Sequence, residues 1–240
     1  MQWQESGVVL SSKSFAEDAK IVTIFNKTVG KTSGLVKGAK SSIQLGDVCE
    51  ALWRGRTAEQ LGTFKIETVF SPFTRAFNDP LRVSAIESLC FLCAKGLPEK
   101  APHPSLFDRI KTLLLSISDA NFAAKYALFE VKFLAEVGYG LDLSKCAVTG
   151  KTDNLIYVSP RTGCAACGEA GEKYKDRLFA LPQFLISKND TPTDCDVFCS
   201  LQITGHFLKA YFCAINGGKL PLSRERLTTE LSGFGKARYG

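Results

Sequence analysis

Cysteines carry the most distinctive chemistry this chain could perform. Cys146-x-x-Thr149-Gly150 is followed by Cys164-x-x-Cys167-Gly168, two copies of a short turn ending in glycine. A structural zinc site draws four ligands from two such turns, in a closed tetrahedron that supports folding and not catalysis. Here Thr149 stands at one of the four positions, and its hydroxyl does not replace a thiolate on zinc. If zinc binds, Cys146, Cys164 and Cys167 are its ligands, with a fourth from elsewhere such as Cys195 or Cys199. If it does not, the turns persist through backbone hydrogen bonds and the thiols stay free. The missing thiolate favours this second reading, a degenerate knuckle with no metal and no cofactor.

Other suggestive spacings carry less. Cys90-x-x-Cys93 falls near the C-terminal end of an apolar helical stretch, where the helix dipole gives a thiolate no help. These two read as small core side chains. Gly30-Lys31-Thr32 invites comparison with a phosphate-binding loop, but that motif needs a glycine where Phe25 stands, and a helix to follow. His103 sits between prolines and His206 among helical aromatics, and neither has a nucleophile motif beside it. No enzyme is expected. A thiol oxidoreductase using Cys164-x-x-Cys167 ranks last among the readings.

Basic residues of the N-terminal third are more informative. Lys13, Lys20, Lys31, Lys37, Lys40, Arg54, Arg56 and Lys65 are set among Phe15, Phe25, Trp53 and Phe64. A protein that binds single strands needs cations following the phosphates and aromatic faces on which bases stack. Lys13, Lys20, Lys37, Lys40, Arg54 and Arg56 are the expected nucleic-acid-binding residues. Lys37-Gly-Ala-Lys40 is the sharpest piece, since two small residues let the backbone approach a phosphate between two lysines. The competing account has the lysines solvating a surface and the aromatics filling a core. Alternation places Cys49, Ala51 and Trp53 on one face, which makes Trp53 a core candidate.

Short strands must position these cations. Runs rich in β-branched and aromatic residues predict strands over 7–12, 20–26, 31–36, 47–54 and 61–69, with a turn at 27–30. Five strands without an intervening long helix fit a small barrel of the oligonucleotide-binding type or a small β-sandwich, and pattern alone does not separate them. Ser71-Pro72-Phe73 breaks the pattern and Asn78-Asp79-Pro80 signals a helix start. Helices are predicted over 80–95, 105–118, from Asn121 to about Val137, and over 175–181, 195–215 and 221–231.

Composition sets wider limits. The chain has 240 residues, 45% hydrophobic and 22% charged, as expected of one large or two small globular domains. Its net charge of +6 permits a polyanionic partner without demanding one. No apolar run approaches the ~20 residues of a membrane helix, and the N-terminus lacks a secretory h-region. Nine cysteines, an odd number, fit a reducing cytoplasm.

LAEVGYGLDLSKCAVTG, then GCAAC and Leu181-Pro182, resembles the bacterial recombination-mediator RecO family. So do Trp3, Gly7-Val8-Val9-Leu10, the run from Gly34 to Lys40, Leu45-Gly46, Ala51-Leu52-Trp53-Arg54 and Leu61-Gly62-Thr63-Phe64. Singly these are soft, but their order and spacing cover almost the whole chain. The resemblance implies an α+β protein: an N-terminal OB-fold β-barrel, then an all-α domain with a degenerate zinc-knuckle-like insertion. The boundaries are 1–74 for the barrel, 75–231 for the helical domain including the cysteine turns at 143–170, and 232–240 for a flexible tail. It further implies a non-enzymatic, cytoplasmic and nucleoid-associated DNA-binding protein. Such a protein anneals complementary strands and helps load recombinase onto DNA coated with single-strand-binding protein. The implied partners are single- and double-stranded DNA, the ring-forming mediator RecR and the acidic C-terminal tail of single-strand-binding protein. The alternative is a zinc-stabilised adaptor for protein partners, without direct DNA function.

Overall fold

A computed structural model describes residues 1–38, 43–57, 60–187 and 190–235. The chain divides into two compact units, Met1–Phe122 and Ala123–Gly240. The first is built on a closed five-stranded barrel: β1 (Gln2–Ala16), β2 (Ala19–Asn26), β3 (Gly30–Lys37), β4 (Val48–Arg54) and β5 (Gly62–Phe70). Their order around the barrel is β1-β2-β3-β5-β4, with β4 returning to β1. All neighbours are antiparallel except β3 and β5, which pair in parallel through Gly34–Gly62 and Leu35–Thr63 alone. The five predicted strands are present and they close, so the barrel stands and the sandwich falls.

β1 extends past the predicted 7–12 at both ends, because residues 2–6 pair with β4 and residues 13, 14 and 16 with β2; its buried centre has two faces that do different work. Val9 joins Val22, Ile24, Val36, Ile43, Cys49, Ala51, Trp53 and Phe64 inside the barrel. Val8 and Leu10, on the opposite face, are also buried, and α2 packs against this strand. A run buried on both faces hides the alternation that marks an exposed strand. Trp3 stacks on Trp53 at 6.2 Å and meets Phe64 edge-on at 5.7 Å, capping the interior with three rings.

The parallel closure depends on two glycines. A Cβ on Gly34 would lie 2.5 Å from the Phe64 ring, and one on Gly62 would lie 2.4 Å from Trp53 and 2.5 Å from the Arg54 carbonyl. Side chains at either place would push the core rings outward or part the strands.

Helices α1 (Pro72–Ala76), α2 (Pro80–Gly96) and α3 (Pro104–Leu115) complete the first unit. Asp79 caps α2 by accepting the Arg82 N–H at 3.0 Å. Cys90 and Cys93 are buried on α2, and burial pushes the Cys90 thiol up to about 12 and Cys93 well above its usual value. They are inert core side chains. Gly30 begins β3 with φ 80°, and a Cβ there would lie 2.2 Å from the Ala101 carbonyl oxygen. Gly30-Lys31-Thr32 is therefore the start of a hairpin strand, with Gly30 packed on backbone. Lys31 does not belong with the surface cations: it is buried, donates to the Ala94 carbonyl at 2.7 Å and pairs with Glu99 at 3.4 Å. The carbonyl-rich C-terminal end of α2 draws its ammonium inward.

The second unit contains α4 (Phe122–Glu136), α6 (Asp194–Asn216) and α7 (Leu222–Gly235), all at predicted places. It is not all-α. β6 (Leu155–Val158), β7 (Ala165–Cys167) and β8 (Phe179–Ala180) form a small antiparallel sheet in the order β7-β6-β8. α5 (Gly168–Gly171) is a single turn, followed by a 3-10 helix at Glu172–Arg177. The predicted helix over 175–181 is thus corrected: Phe179 and Ala180 pair with Val158 and Tyr157. So short an apolar run is compatible with either element, and pairing decides it. The tail assigned to 232–240 is corrected in part, since α7 continues to Gly235, and 236–240 lie outside the described residues.

Its core is locked by a buried charge cluster. Glu130, fully buried, accepts from Arg224 at 2.5 and 2.9 Å, from Thr204 at 2.5 Å and from Tyr126 at 2.8 Å. Arg224 also donates to the Leu201 carbonyl at 2.8 Å. Removing one partner of such a pair leaves a buried charge and costs about 3–5 kcal/mol. Among the described residues no helix is long and apolar enough to cross a membrane.

Gly62→Ala is expected to destabilise the first unit by about 1–3 kcal/mol through overpacking against Trp53. Urea unfolding followed by tryptophan fluorescence checks this, and an unchanged midpoint would show that the seam yields freely.

Candidate nucleic-acid interface

Beyond Leu35 and Thr63, β3 and β5 have no further parallel partners. A shallow groove of about 460 Å³ lies between residues 35–38 of one strand and 63–66 of the other. Lys37 and Lys65 line its two sides, and both are exposed. Strand register extends this face around the barrel. Lys13 pairs with Ile21, Ile21 with Leu35, Leu35 with Thr63, and Thr63 with Arg54. Paired residues point to the same side of a sheet, so Lys13 and Arg54 flank the groove on the outer face. Glu50 and Glu67, exposed and directly opposed on β4 and β5, bound the cationic face at its other end. The result is a narrow basic track over a neutral floor of Ile21, Leu35 and Thr63.

Not every expected residue joins it. Lys20 pairs with Val36 and Ser14, on the opposite parity, and lines a separate hollow with Ser12, Ile43, Gln44, Phe73 and Glu87. Arg56 is exposed in the β4–β5 connection. Lys40 lies outside the described residues. Of the aromatics, Phe25, Trp53 and Phe64 are buried, whereas Phe15 is 63% exposed. Lys65 is the residue the sequence left unassigned: only the parallel seam, marked by Gly34 and Gly62, brings it opposite Lys37.

Comparison with known proteins divides the chain earlier than its compact units do, at the end of the barrel. The family model described as Recombination protein O N terminal matches residues 1–73, and the one described as Recombination protein O C terminal matches 78–211. The chain is 38% identical over 233 residues to the DNA repair protein RecO of Rhodospirillum centenum, covering 94% of this chain and 93% of that relative. It is 37% identical over 242 residues to the DNA repair protein RecO of Phenylobacterium zucineum, covering 98% and 100%. The corresponding protein of Bartonella quintana is 34% identical over 234 residues. The chain belongs to the RecO family. That membership supports a role in DNA repair and recombination.

The cysteine turns of this RecO-family chain have a definite geometry. Cys146 and Cys167 are buried and Cys164 is half-buried. The Thr149 hydroxyl lies 3.6 Å from the Cys167 sulfur and also hydrogen-bonds the Cys146 sulfur. Backbone bonds hold the turns: Gly150 N–H to the Cys146 carbonyl at 2.9 Å, and Ala147 N–H to the Ala165 carbonyl at 2.9 Å. The Cys164 thiol reaches the Thr162 carbonyl at 3.7 Å. Among the described residues, no group of three or more His, Cys, Asp or Glu side chains is arranged to hold a metal ion.

Burial opposes ionisation of Cys146, but hydrogen bonds from the Thr149 hydroxyl and the backbone amides of Cys167, Thr149 and Val148 outweigh it, drawing the thiol from 9.0 down to about 6. A pKa lower in the folded than in the unfolded chain adds stability above the unfolded value and loses it as pH falls through the folded one. Wild type should therefore gain stability over Cys146→Ser as pH rises from about 6 towards 9. Urea midpoints for both proteins across this range check it; a constant difference would show that the sulfur is not ionised.

Proposed function

We propose that this chain is a DNA-binding recombination mediator without covalent chemistry. It anneals complementary strands and helps load recombinase onto DNA coated with single-strand-binding protein. The observation that carries the reading is the groove between β3 and β5, with Lys37 and Lys65 on opposite walls and Lys13 and Arg54 flanking them. Annealing requires that two polyanions approach each other. A surface that neutralises phosphates lowers that repulsion and leaves the bases free to pair. Phosphate contacts position a strand without reading its sequence, which suits a mediator acting anywhere in a genome.

Two protein partners complete the reading, RecR and the acidic C-terminal tail of single-strand-binding protein. The tail calls for an apolar pocket with a basic rim. The large cleft of the second unit, about 1080 Å³, is lined by Leu178, Phe179, Phe184 and Phe198, but its described rim sets Asp176, Asp190 and Asp196 against Lys175. Its charge is wrong for an acidic tail, so the tail docks elsewhere on the chain.

Lys37→Ala combined with Lys65→Ala should weaken binding to all single-stranded sequences alike. The slope of log affinity against log salt should flatten by about 1.4–1.8, from about 0.7–0.9 per phosphate contact. Fluorescence anisotropy with a labelled oligonucleotide reads the slope, and annealing of complementary oligonucleotides, with and without single-strand-binding protein, reads the activity. An unchanged slope with intact annealing would remove the groove from the binding surface.

The cysteine turns are proposed to work without metal, the Thr149 hydroxyl bridging the sulfurs where a metal would otherwise sit. Elemental analysis of protein purified without chelator is expected to find no stoichiometric zinc. One zinc per chain, lost in Cys146→Ser, would overturn this.

A further inference from the structure

Phe15 stands apart from the other aromatics on the barrel strands. Trp53, Phe25 and Phe64 are buried, Trp3 packs against the core, and Phe70 is half-buried beneath the Arg75 guanidinium at 5.7 Å. Phe15 is 63% exposed. It sits where the β1–β2 register slips, between the Ser14–Lys20 and Ala16–Ala19 pairs. A bulge of this kind re-aims a side chain, and here it presents a flat apolar ring to water at the end of a hairpin.

The surroundings of that ring are cationic and otherwise small. Phe15 is the unpaired residue of that slip, two positions along β1 from Lys13. Its neighbour Ala16 pairs with Ala19 across the hairpin, and Ala19 pairs with Lys37 on β3. The hairpin end is tied to that strand by the Gly38 N–H donating to the Asp18 carbonyl at 2.8 Å. Ala16 and Ala19, both small, are the residues in the row that leads from the Phe15 bulge to Lys37. Glu17 and Asp18 form the turn beyond.

We propose that Phe15 is a base-stacking platform for single-stranded DNA, the ring receiving a base whose flanking phosphates lie towards Lys13 and Lys37. This rests on the reading of the outer face as a DNA track and adds what that track lacks, a contact that separates unpaired from paired strands. Bases in a duplex are stacked on each other and cannot lie on the ring, whereas every unpaired base has a face to offer, whatever its identity. Phosphate contacts alone make no such distinction. A mediator that grips single strands through one ring, and releases the base once it pairs, would leave the finished duplex held only by its charges.

The test uses the full chain, a labelled single-stranded oligonucleotide, the duplex of the same sequence, and a single strand carrying abasic sites throughout. Phe15→Ala should lose about 5- to 150-fold in affinity for the normal single strand. It should match wild type on the duplex and on the abasic strand, with an unchanged salt slope. Phe15→Trp should retain binding and Phe15→Leu should resemble Phe15→Ala, since leucine keeps apolar bulk without a flat face. This Trp–Leu contrast decides the matter even if the alanine variant folds poorly. Equal losses on normal and abasic strands, a loss shared by the duplex, or wild-type binding by Phe15→Leu would each overturn the proposal. Failure of the groove reading looks different, because it appears as an unaltered salt slope in the lysine variants, whatever Phe15 does.

Discussion

The closure of the barrel is the constraint from which the first unit takes its form. β3 and β5 run parallel and touch through only two residue pairs. Parallel pairing is slightly weaker per residue than antiparallel pairing, so a two-pair seam cannot hold by its own hydrogen bonds. It holds because the rings beneath it fill the interior. Trp53 and Phe64 lie where any Cβ on Gly62 or Gly34 would have to go, and Trp3 stacks on Trp53 and meets Phe64 edge-on. Of the aromatics that the sequence offered as stacking platforms, Trp53 and Phe64 are spent on closing the barrel.

The same weakness creates the candidate interface. An antiparallel seam of full length would zip β3 and β5 from end to end. A parallel seam of two pairs gives way to a groove at once, and Lys37 and Lys65 line its walls because parallel strands keep residues of equal offset level with each other. The cations are thus placed by topology. The helices bear on the opposite side of the barrel: α2 packs on β1, Phe107 of α3 meets Phe25 of β2 at 5.8 Å, and Lys111 donates to Ser6 at 2.9 Å. Among the described residues these helix contacts fall on β1 and β2, and the end of α2 takes Lys31 out of the surface set.

In the second unit a polar cluster and a set of turns play the corresponding parts. Glu130 sends its carboxylate into an apolar helix core, which is tolerable only because Arg224, Thr204 and Tyr126 satisfy both oxygens. Such a cluster fixes how α4, α6 and α7 meet more sharply than interchangeable leucines would. The cysteine turns solve a smaller problem of the same kind. Burial opposes ionisation of the Cys146 sulfur, while hydrogen bonds from the Thr149 hydroxyl and nearby backbone amides draw its pKa down.

Much of this was legible in the residues. Strand-rich runs before Ser71, the Asp79-Pro80 helix start and the apolar spacing of α4 and α6 specify local structure through periods that need no partner. The Cys164-x-x-Cys167-Gly168 turn and the Thr149 departure in its counterpart likewise announce themselves in one dimension. Barrel against sandwich was not legible, because closure depends on which distant strands meet, and alternation says only that each strand has two faces. Nor was the fate of individual cations: Lys20, Lys31, Lys37 and Lys65 are alike in sequence, yet one lines a hollow, one is buried against a helix end and two share a groove. The small sheet of β6, β7 and β8 escaped because strands of two to four residues carry no period, and pairing alone makes them strands. The sequence by itself determined the barrel strands, the long helices and which thiolate is missing. Tertiary structure decided which rings face water and which lysines stand together, since burial and register arise only when strands far apart in the chain are brought side by side.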